Sequence, residues 1–449
     1  MIVALLKDIR LYADALSDLR AMRRAERGNY RKLQSKRIRD LVKHAFDNVE
    51  LYRCKYKQAG IRPEDIQTIA DMDKLPVITR QDLVDGFPRA ILASNCRSED
   101  CRLVATSGST GTPLRVFKDR TLLRRDALTA VLANIVLGRQ ARVNVGTNIL
   151  AIEVDSPASL EAVLLEEVAK LPRFLSKSFR PLDALKDPHE HIRVLAECRP
   201  DILFAYPSNL RNMAITARDE GLQLHQPKII TSSAELLDDH TRRTISSVFK
   251  GEVINFYAST EGGLMAMECS QHQGMHVISS RVVLEIVRGG KAVPPGVPGN
   301  VVLTNLSNWS TPIIRYSGMG DVAVFESEPC PCGDRQPVLK VVEGRLVDSL
   351  VLSDGRLVHP FTLTLALENV PMIAKFQIVQ ECLDSVKVLI VPETRANGHK
   401  AICEEARQNL RGFLGEKVQI TVDLVGDIPE SSQPGFHTVK SLVAKKEWQ

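Results

Sequence analysis

Apolar runs and helix-period segments alternate through the first half of the chain. Residues 147–152 (TNILAI), 201–206 (DILFAY), 228–235 (KIITSSAE) and 253–257 (VINFY) read as buried strands, with helical patterns between them. Upstream, residues 1–60 read as helices: Leu33, Ile38, Leu41, Val42, Ala45 and Phe46 recur near helical spacing among Lys and Arg. Residues 75–83 predict an extended segment feeding a helix capped by Thr79. Residues 119–137 have the composition of a further helix. This alternation predicts an α/β sheet with ligands at the carboxyl ends of its strands. The polar clusters 231–235 and 257–261 fall at such ends.

From 277 to 343 the pattern changes to short β segments with turns. Gly289-Gly290, Pro294-Pro295-Gly296 and Pro298-Gly299-Asn300 mark the turns, and 301–304 and 312–316 read as strands. Residues 345–449 read as a small α+β domain, with strands at 376–380, 386–391 and 418–424 and a helix at 402–414. The expected fold is therefore α/β. A large N-terminal domain, 1–344, combines mixed α/β sheets with a β-rich subdomain, and a small C-terminal domain, 345–449, follows the boundary at Gly344-Arg345.

At 449 residues the chain is too long for one core, which agrees with two or more domains. Its 44% apolar and 25% charged residues are ordinary for a soluble protein. The net charge of +5 is small, and the early basic cluster (Arg20, Arg23, Arg24, Arg31, Lys32, Lys36, Arg37, Arg39) reads as a solvated helix face. No aromatic interleaving or zinc-finger spacing supports a nucleic-acid partner. No run is long enough to span a membrane, and the start is too short and too quickly charged for a signal peptide. Nine scattered cysteines point to reduced thiols and a cytoplasmic location.

The densest chemistry lies at Thr106-Ser107-Gly108-Ser109-Thr110-Gly111-Thr112-Pro113, between the apolar 103–105 and the strand-like 114–117. Backbone N–H groups and hydroxyls of such a loop wrap phosphate oxygens, and the glycines permit the close approach. No Lys-Ser/Thr follows, so it is not a Walker loop. A Ser/Gly turn in a hairpin is the alternative. Thr260-Glu261 offers a hydroxyl beside a carboxylate, suited to Mg²⁺, although taken alone the pair reads better as a helix N-terminus with Ser259 or Thr260 as the cap. Asp321 reads by itself as a turn residue after Gly320.

The loop, with Tyr257-Ala258-Ser259-Thr260-Glu261, Arg315-Tyr316-Ser317-Gly318-Met319-Gly320-Asp321, Gly344-Arg345 and Cys330-Pro331-Cys332-Gly333 in order, resembles the adenylate-forming superfamily. The last segment looks like its phenylacetate-CoA ligase and CapK-like branch. The resemblance implies ATP-dependent adenylation of a carboxylic acid, aryl or arylacetic by default. Pyrophosphate is released, and the acyl group passes to a thiol (coenzyme A or a carrier-protein arm) or an amine.

The resemblance also implies roles. Ser107, Gly108, Ser109, Thr110, Gly111 and Thr112 would hold the β- and γ-phosphates, Thr260 the α-phosphate and Glu261 the Mg²⁺. Tyr257 and Ala258 on one side and Ser233, Ala234 and Glu235 on the other would enclose adenine, with Ser259 beside them. Asp321 would read the ribose, and Arg345 would meet ribose or phosphate at the joint of a mobile small domain. The acid pocket would be lined from 206–212, 232–236 and 257–265. A homodimer is expected from the relatives.

Cys330 and Cys332, with Cys269 and His276 about sixty residues earlier, suit a closed tetrahedral zinc site. The branch carries a similar set. His272 is an alternative to His276, and reduced thiols in a β-turn region are the other reading. Cys54, Cys96, Cys101, Cys198, Cys382 and Cys403 read as buried small apolar residues.

Two positions depart from the family. The joint Gly-Arg-x-Asp-Asp is here Gly344-Arg345-Leu346-Val347-Asp348. Aligned on Phe436 and Val439, the family's C-terminal lysine position holds Gly435. Lys440, Lys445 and Lys446 read as a basic tail, the alternative being that one of them replaces the lysine through a different register. Loss of that cation alone slows adenylation by roughly a thousand-fold. It leaves open a degenerate protein that binds nucleotide or acyl-adenylate with little turnover.

Overall fold

The computed structural model describes residues 2–105, 114–137, 147–153, 159–171, 176–184, 186–234, 237, 239–343, 350–353, 357–358, 363, 366–367, 370–393, 399–428 and 439–443. The chain divides into two compact units. The first holds 1–237, 241–319 and 323–341, and the second holds 342–449 with the short pieces 238–240 and 320–322.

The first unit opens with α1 (Ile2–Glu26), α2 (Arg31–Asn48) and α3 (Glu50–Gln58). In α2 the buried residues Gln34, Ile38, Leu41, Val42 and Ala45 follow the helical repeat, and α3 buries Tyr52 and Tyr56 one turn apart. The basic cluster is mostly solvated as expected, but Arg37 is not. Its guanidinium donates to the Ser280 carbonyl and faces Asp18, while Arg281 pairs with Asp126. Burial holds the Arg37 pKa below its usual value, against the pull of Asp18.

Thr79 caps α4 (Arg80–Gly86) through a reciprocal box: its hydroxyl accepts from the Asp82 N–H, and the Asp82 carboxylate accepts from the Thr79 N–H. A hairpin of β1 (Cys101–Ala105) and β2 (Arg115–Asp119) brackets residues 106–113. The helix α5 (Arg120–Leu137) follows.

A parallel sheet follows, built from β3 (Thr147–Glu153), β4 (Ser176–Asp183), β5 (Ile202–Ala205), β6 (Ile229–Ser232) and β7 (Glu252–Ser259). The intervening helices are α6 (Leu160–Ala169), α7 (Pro188–Cys198), α8 (Pro207–Asp219) and α9 (Asp239–Val248). Alternation along the strands sorts the faces. Leu150, Ile152, Leu203, Ala205, Ile230 and Val253 pack with Leu195, Met213 and Ile245 of α7, α8 and α9. Ile149, Ile202, Ile229 and Ile254 pack with Ala127 and Val131 of α5 and Val168 of α6. Both faces are covered, as near-continuous apolar strands require.

The strand β7 is the seam. It pairs parallel with β6 and antiparallel with β8 (Gly263–Glu268). Beyond it lie β9 (Met275–Val277), β10 (Val282–Arg288), β11 (Lys291–Ala292), β12 (Gly299–Asn305), β13 (Ile313–Tyr316), β14 (Val322–Phe325) and β15 (Val338–Glu343). Among the described residues these and the parallel strands form one 13-stranded sheet. The turn expected at 298–300 ends two residues earlier: Gly299 already lies in β12, where a Cβ would lie 2.8 Å from the Val287 carbonyl oxygen.

In the second unit, β16 (Leu350–Val351) pairs with β17 (Leu357–Val358), and a four-stranded sheet follows. Its strands are β18 (Ile373–Cys382), β19 (Ser385–Pro392), β20 (Gln419–Leu424) and β21 (Val439–Ser441). The helix α10 (His399–Leu414) buries Ile402, Ala406, Leu410 and Leu414 in the same core as Phe376, Ile378, Val388 and Ile390. Among the described residues no helix is long and apolar enough to cross a membrane.

Candidate active site and metal centre

The candidate site grows from the tip of the β7–β8 hairpin. Tyr257, Ala258 and Ser259 end β7 and are half-buried. Ser259 pairs with Gly263, so Thr260, Glu261 and Gly262 form a tight turn between antiparallel strands. No helix starts there, which removes the cap reading. The Ser259 hydroxyl instead accepts from the Gly262 N–H at 2.9 Å and closes the turn. Gly262 is needed because buried Met265 fills the space a Cβ would take.

Three neighbours fix Glu261, which is only 5% exposed. Asn305, at the end of β12, donates its amide to the Glu261 carbonyl at 2.8 Å. The Tyr316 phenol, from β13, donates to Glu261 Oε1 at 3.2 Å. Burial first, and then the Glu261 charge, push the Tyr316 pKa far above that of a free phenol, so it stays a donor. The Arg80 charge acts on the same phenol, pulling its pKa down against the larger effect of burial. Sequence reasoning assigned no role to Asn305, Tyr316 or Arg80.

On the neighbouring strand, Ser232 pairs in register with Asn255. Ser232 Oγ and Asn255 Oδ1 are both buried and have no hydrogen-bond partner among the described residues. Such atoms at strand ends call for a polar ligand or water. Asn255 was also missed, although it stands two residues before Tyr257 in the quoted strand. Ser233 is buried, and Ala234 is exposed with φ 70°, a left-handed bend that turns the chain off the sheet. Asp321 follows Gly320 in the turn between β13 and β14 and is half-buried.

The hairpin flanking the hydroxyl-rich loop is held from below. Asn308 donates to the Phe117 carbonyl at 3.0 Å, and the Phe117 N–H donates to Thr311 Oγ1 at 3.1 Å. Ser107, Gly108, Ser109, Thr110, Gly111 and Thr112 themselves lie outside the described residues, as do Glu235, Arg345, Gly435, Lys445 and Lys446. Lys440 lies in β21 and is exposed.

The second cluster forms as the cysteine spacing predicts. The ligand atoms of Cys269, His276, Cys330 and Cys332 all lie within 4.8 Å of one another. Cys269 Sγ is 3.6 Å from Cys330 Sγ, and Cys332 Sγ is 3.4 Å from His276 Nε2. His272 is not in the group. It adopts φ 50° and faces Glu268 at 3.4 Å. Three thiols and one imidazole converging this closely fit a closed Zn²⁺ site. Burial raises the Cys269 thiol to about 12 and also lifts Cys332. Burial lowers His276, against the pull of Asp334. Metal uptake at neutral pH therefore displaces thiol protons.

The Asp334 carboxylate lies 3.4 Å from His276 Nδ1, where it would orient a ligating imidazole. Replacing Asp334 by Asn is expected to weaken zinc binding about 10–100-fold in a competition titration against a chelating dye. Of the other cysteines only Cys101 is buried. Cys54 and Cys382 are exposed and Cys96, Cys198 and Cys403 intermediate, because they sit on the solvent sides or ends of their elements.

Residues 350–441 match the family described as the CapK C-terminal domain. Over 437 residues the chain is 26% identical to a phenylacetate-coenzyme A ligase of Pseudomonas putida, covering 92% of this chain and 94% of that one. It is 24% identical to protein CapK of Staphylococcus aureus, covering 90% and 87%. Over nearly its whole length the chain is thus similar to phenylacetate-coenzyme A ligases and to protein CapK.

Its fold is that of the adenylate-forming CoA ligases. It is similar to a 2-hydroxyisobutyryl-CoA ligase crystallised with 2-HIB-AMP in the postadenylation state, with TM-score 0.77, 20% identity, and 92% and 89% of the two chains covered. An anthranilate CoA ligase bound to anthranoyl-AMP superposes with TM-score 0.56 at 15% identity, over 82% and 73% of the two chains.

Proposed function

We propose that the chain activates a carboxylic acid with ATP and passes the acyl group to the thiol of coenzyme A. The observation that carries this reading is Glu261: a carboxylate held by Asn305 and Tyr316 at the carboxyl end of the seam strand. The similarity to phenylacetate-coenzyme A ligases over nearly the whole chain supports it. In the first step a carboxylate oxygen attacks the α-phosphorus, the bond to the bridging oxygen breaks, and pyrophosphate leaves. In the second, the thiol displaces AMP from the acyl carbon.

Mg²⁺, when bound, neutralises phosphate charge, and Glu261 is the residue that would hold it. Thr260 is assigned to the α-phosphate and the 107–112 loop to the β- and γ-phosphates. Tyr257 and Ala258 are assigned to one face of adenine, 233–235 to the other, Asp321 to the ribose, and Arg345 to ribose or phosphate. Zn²⁺ on Cys269, His276, Cys330 and Cys332 is structural: it ties the turn after β8 to the turn before β15. The acid is aryl or arylacetic by similarity to the ligases.

Carboxylate-dependent exchange of pyrophosphate into ATP, run across aryl, arylacetic, hydroxy and amino acids, tests the reading. Exchange with one class of acid is the expected result. Gly435 favours a second reading, a nucleotide-binding protein with little turnover. ATP binding without exchange for any acid would establish that one instead.

A further inference from the structure

The chain lacks the family lysine at Gly435, yet the Glu261 site has a cation from elsewhere. We propose that Arg80 supplies the positive charge for phosphoryl transfer, as a catalytic residue contacting the triphosphate, in place of the missing lysine. The proposal rests on the adenylation reading above.

The backbone delivers Arg80 to this point. Ile78 bridges Tyr316, the Ile78 N–H donates to the Arg315 carbonyl at 2.9 Å, and the Ser317 N–H donates to the Ile78 carbonyl at 2.9 Å. The segment before α4 is thus an added rung beside β13. Two residues on, the Thr79–Asp82 capping box starts the helix with Arg80 as its first residue. Asp82 is further anchored by Lys55 at 2.7 Å, so that lysine is already engaged. The half-buried Arg80 thus heads the helix beside β13, and its charge acts on the phenol that donates to Glu261.

The chemistry suits the position. Glu261 is the residue assigned to Mg²⁺, so the phosphates pass beside it, and Arg80, two residues after the Ile78 bridge to Tyr316, stands next to that place. A guanidinium carries five N–H donors in a planar fork that matches phosphate oxygens, and it stays charged at any working pH. As the α-phosphorus loses its bond to the bridging oxygen, negative charge builds on the departing pyrophosphate, and the fork neutralises it. No proton moves through Arg80. The acyl-transfer step has no pyrophosphate to stabilise, so Arg80 serves only the first half-reaction.

The experiment compares Arg80→Gln, Arg80→Lys and a triple Lys440→Gln/Lys445→Gln/Lys446→Gln protein with wild type in both half-reactions. Arg80→Gln is expected to lose about 100-fold or more in kcat for acid-dependent exchange. It should transfer the acyl group from a supplied acyl-adenylate to coenzyme A as wild type does. The triple lysine variant should match wild type in both. Arg80→Lys, which keeps the charge without the fork, should fall between wild type and Arg80→Gln; it gives the reading if the glutamine variant does not fold. Unchanged exchange in Arg80→Gln, equal loss in both half-reactions, or a comparable loss of exchange in the triple variant would overturn the role. Absence of exchange in wild type would instead overturn the adenylation reading, and this proposal with it.

Discussion

In Glu261→Gln protein, acid-dependent exchange of pyrophosphate into ATP is expected to fall about a thousand-fold while the fold is kept. The substitution isolates charge from shape. Glutamine retains an acceptor oxygen for the Tyr316 phenol, and the backbone carbonyl still takes the Asn305 amide. It removes the negative charge, which a Mg²⁺ ligand at this place must carry. Thermal unfolding should therefore change little while kcat collapses. Exchange at the wild-type rate would show that the buried carboxylate only props the hairpin tip.

The second large effect is on stability. Arg315 is 5% exposed and adopts φ 47°. Its guanidinium pairs with Glu285 at 3.0 Å and donates to the carbonyls of Asp73 and Leu75 at 3.0 and 2.6 Å. It therefore clamps the 73–75 turn to the sheet. Replacing Arg315 by Met leaves Glu285 buried with no cation and two carbonyls stripped of donors, which is expected to cost about 3–5 kcal/mol in denaturant unfolding.

The loss should depend on pH. Burial already raises the Glu285 pKa even with Arg315 beside it. Without Arg315 the folded value rises further above the unfolded one. Such a group favours folding below its unfolded pKa and loses that contribution as pH climbs through the folded value. The deficit of Arg315→Met relative to wild type should then shrink between about pH 8 and pH 5. Replacing Glu285 by Leu in the same protein should recover much of it. A deficit independent of pH would mean that the lost carbonyl contacts, not the stranded carboxylate, dominate.

Local pattern carried much of this molecule. Apolar runs such as Ile202–Ala205 and Ile229–Ser232 announced buried parallel strands, and the polar cluster after the second falls at the carboxyl end of its strand, as expected. The Thr79 cap was legible because Thr-x-x-Asp makes the same box wherever a helix starts. The 259–262 turn was ambiguous, since Ser-Thr-Glu-Gly serves a helix start or a hairpin tip alike. Pairing with β8, a non-local fact about that segment, decided it. Spacing likewise could not choose between His272 and His276, because a left-handed backbone and a carboxylate one turn away divert His272. Asn305, Tyr316 and Arg80 were invisible for a plainer reason. They come from other strands and a distant helix, and no periodicity links them to Glu261. Arg37 was misjudged as solvated because its burial depends on Asp18 of the preceding helix and on Ser280, far away in sequence.

The leading helices have a consequence for how the protein is made. Tyr52 donates to the Pro312 carbonyl, 260 positions along the chain, and Gln34 donates to the Val282 carbonyl, 248 positions along. At ribosomal speeds of about 5–20 residues per second, roughly 10–50 s separate these helices from the strands that cover them. For that interval the apolar faces of α2 and α3 stand uncovered on the nascent chain. Helices α2 and α3 are thus a segment that a holding chaperone would bind, and folding yield should rise when translation of the stretch up to β13 is hastened.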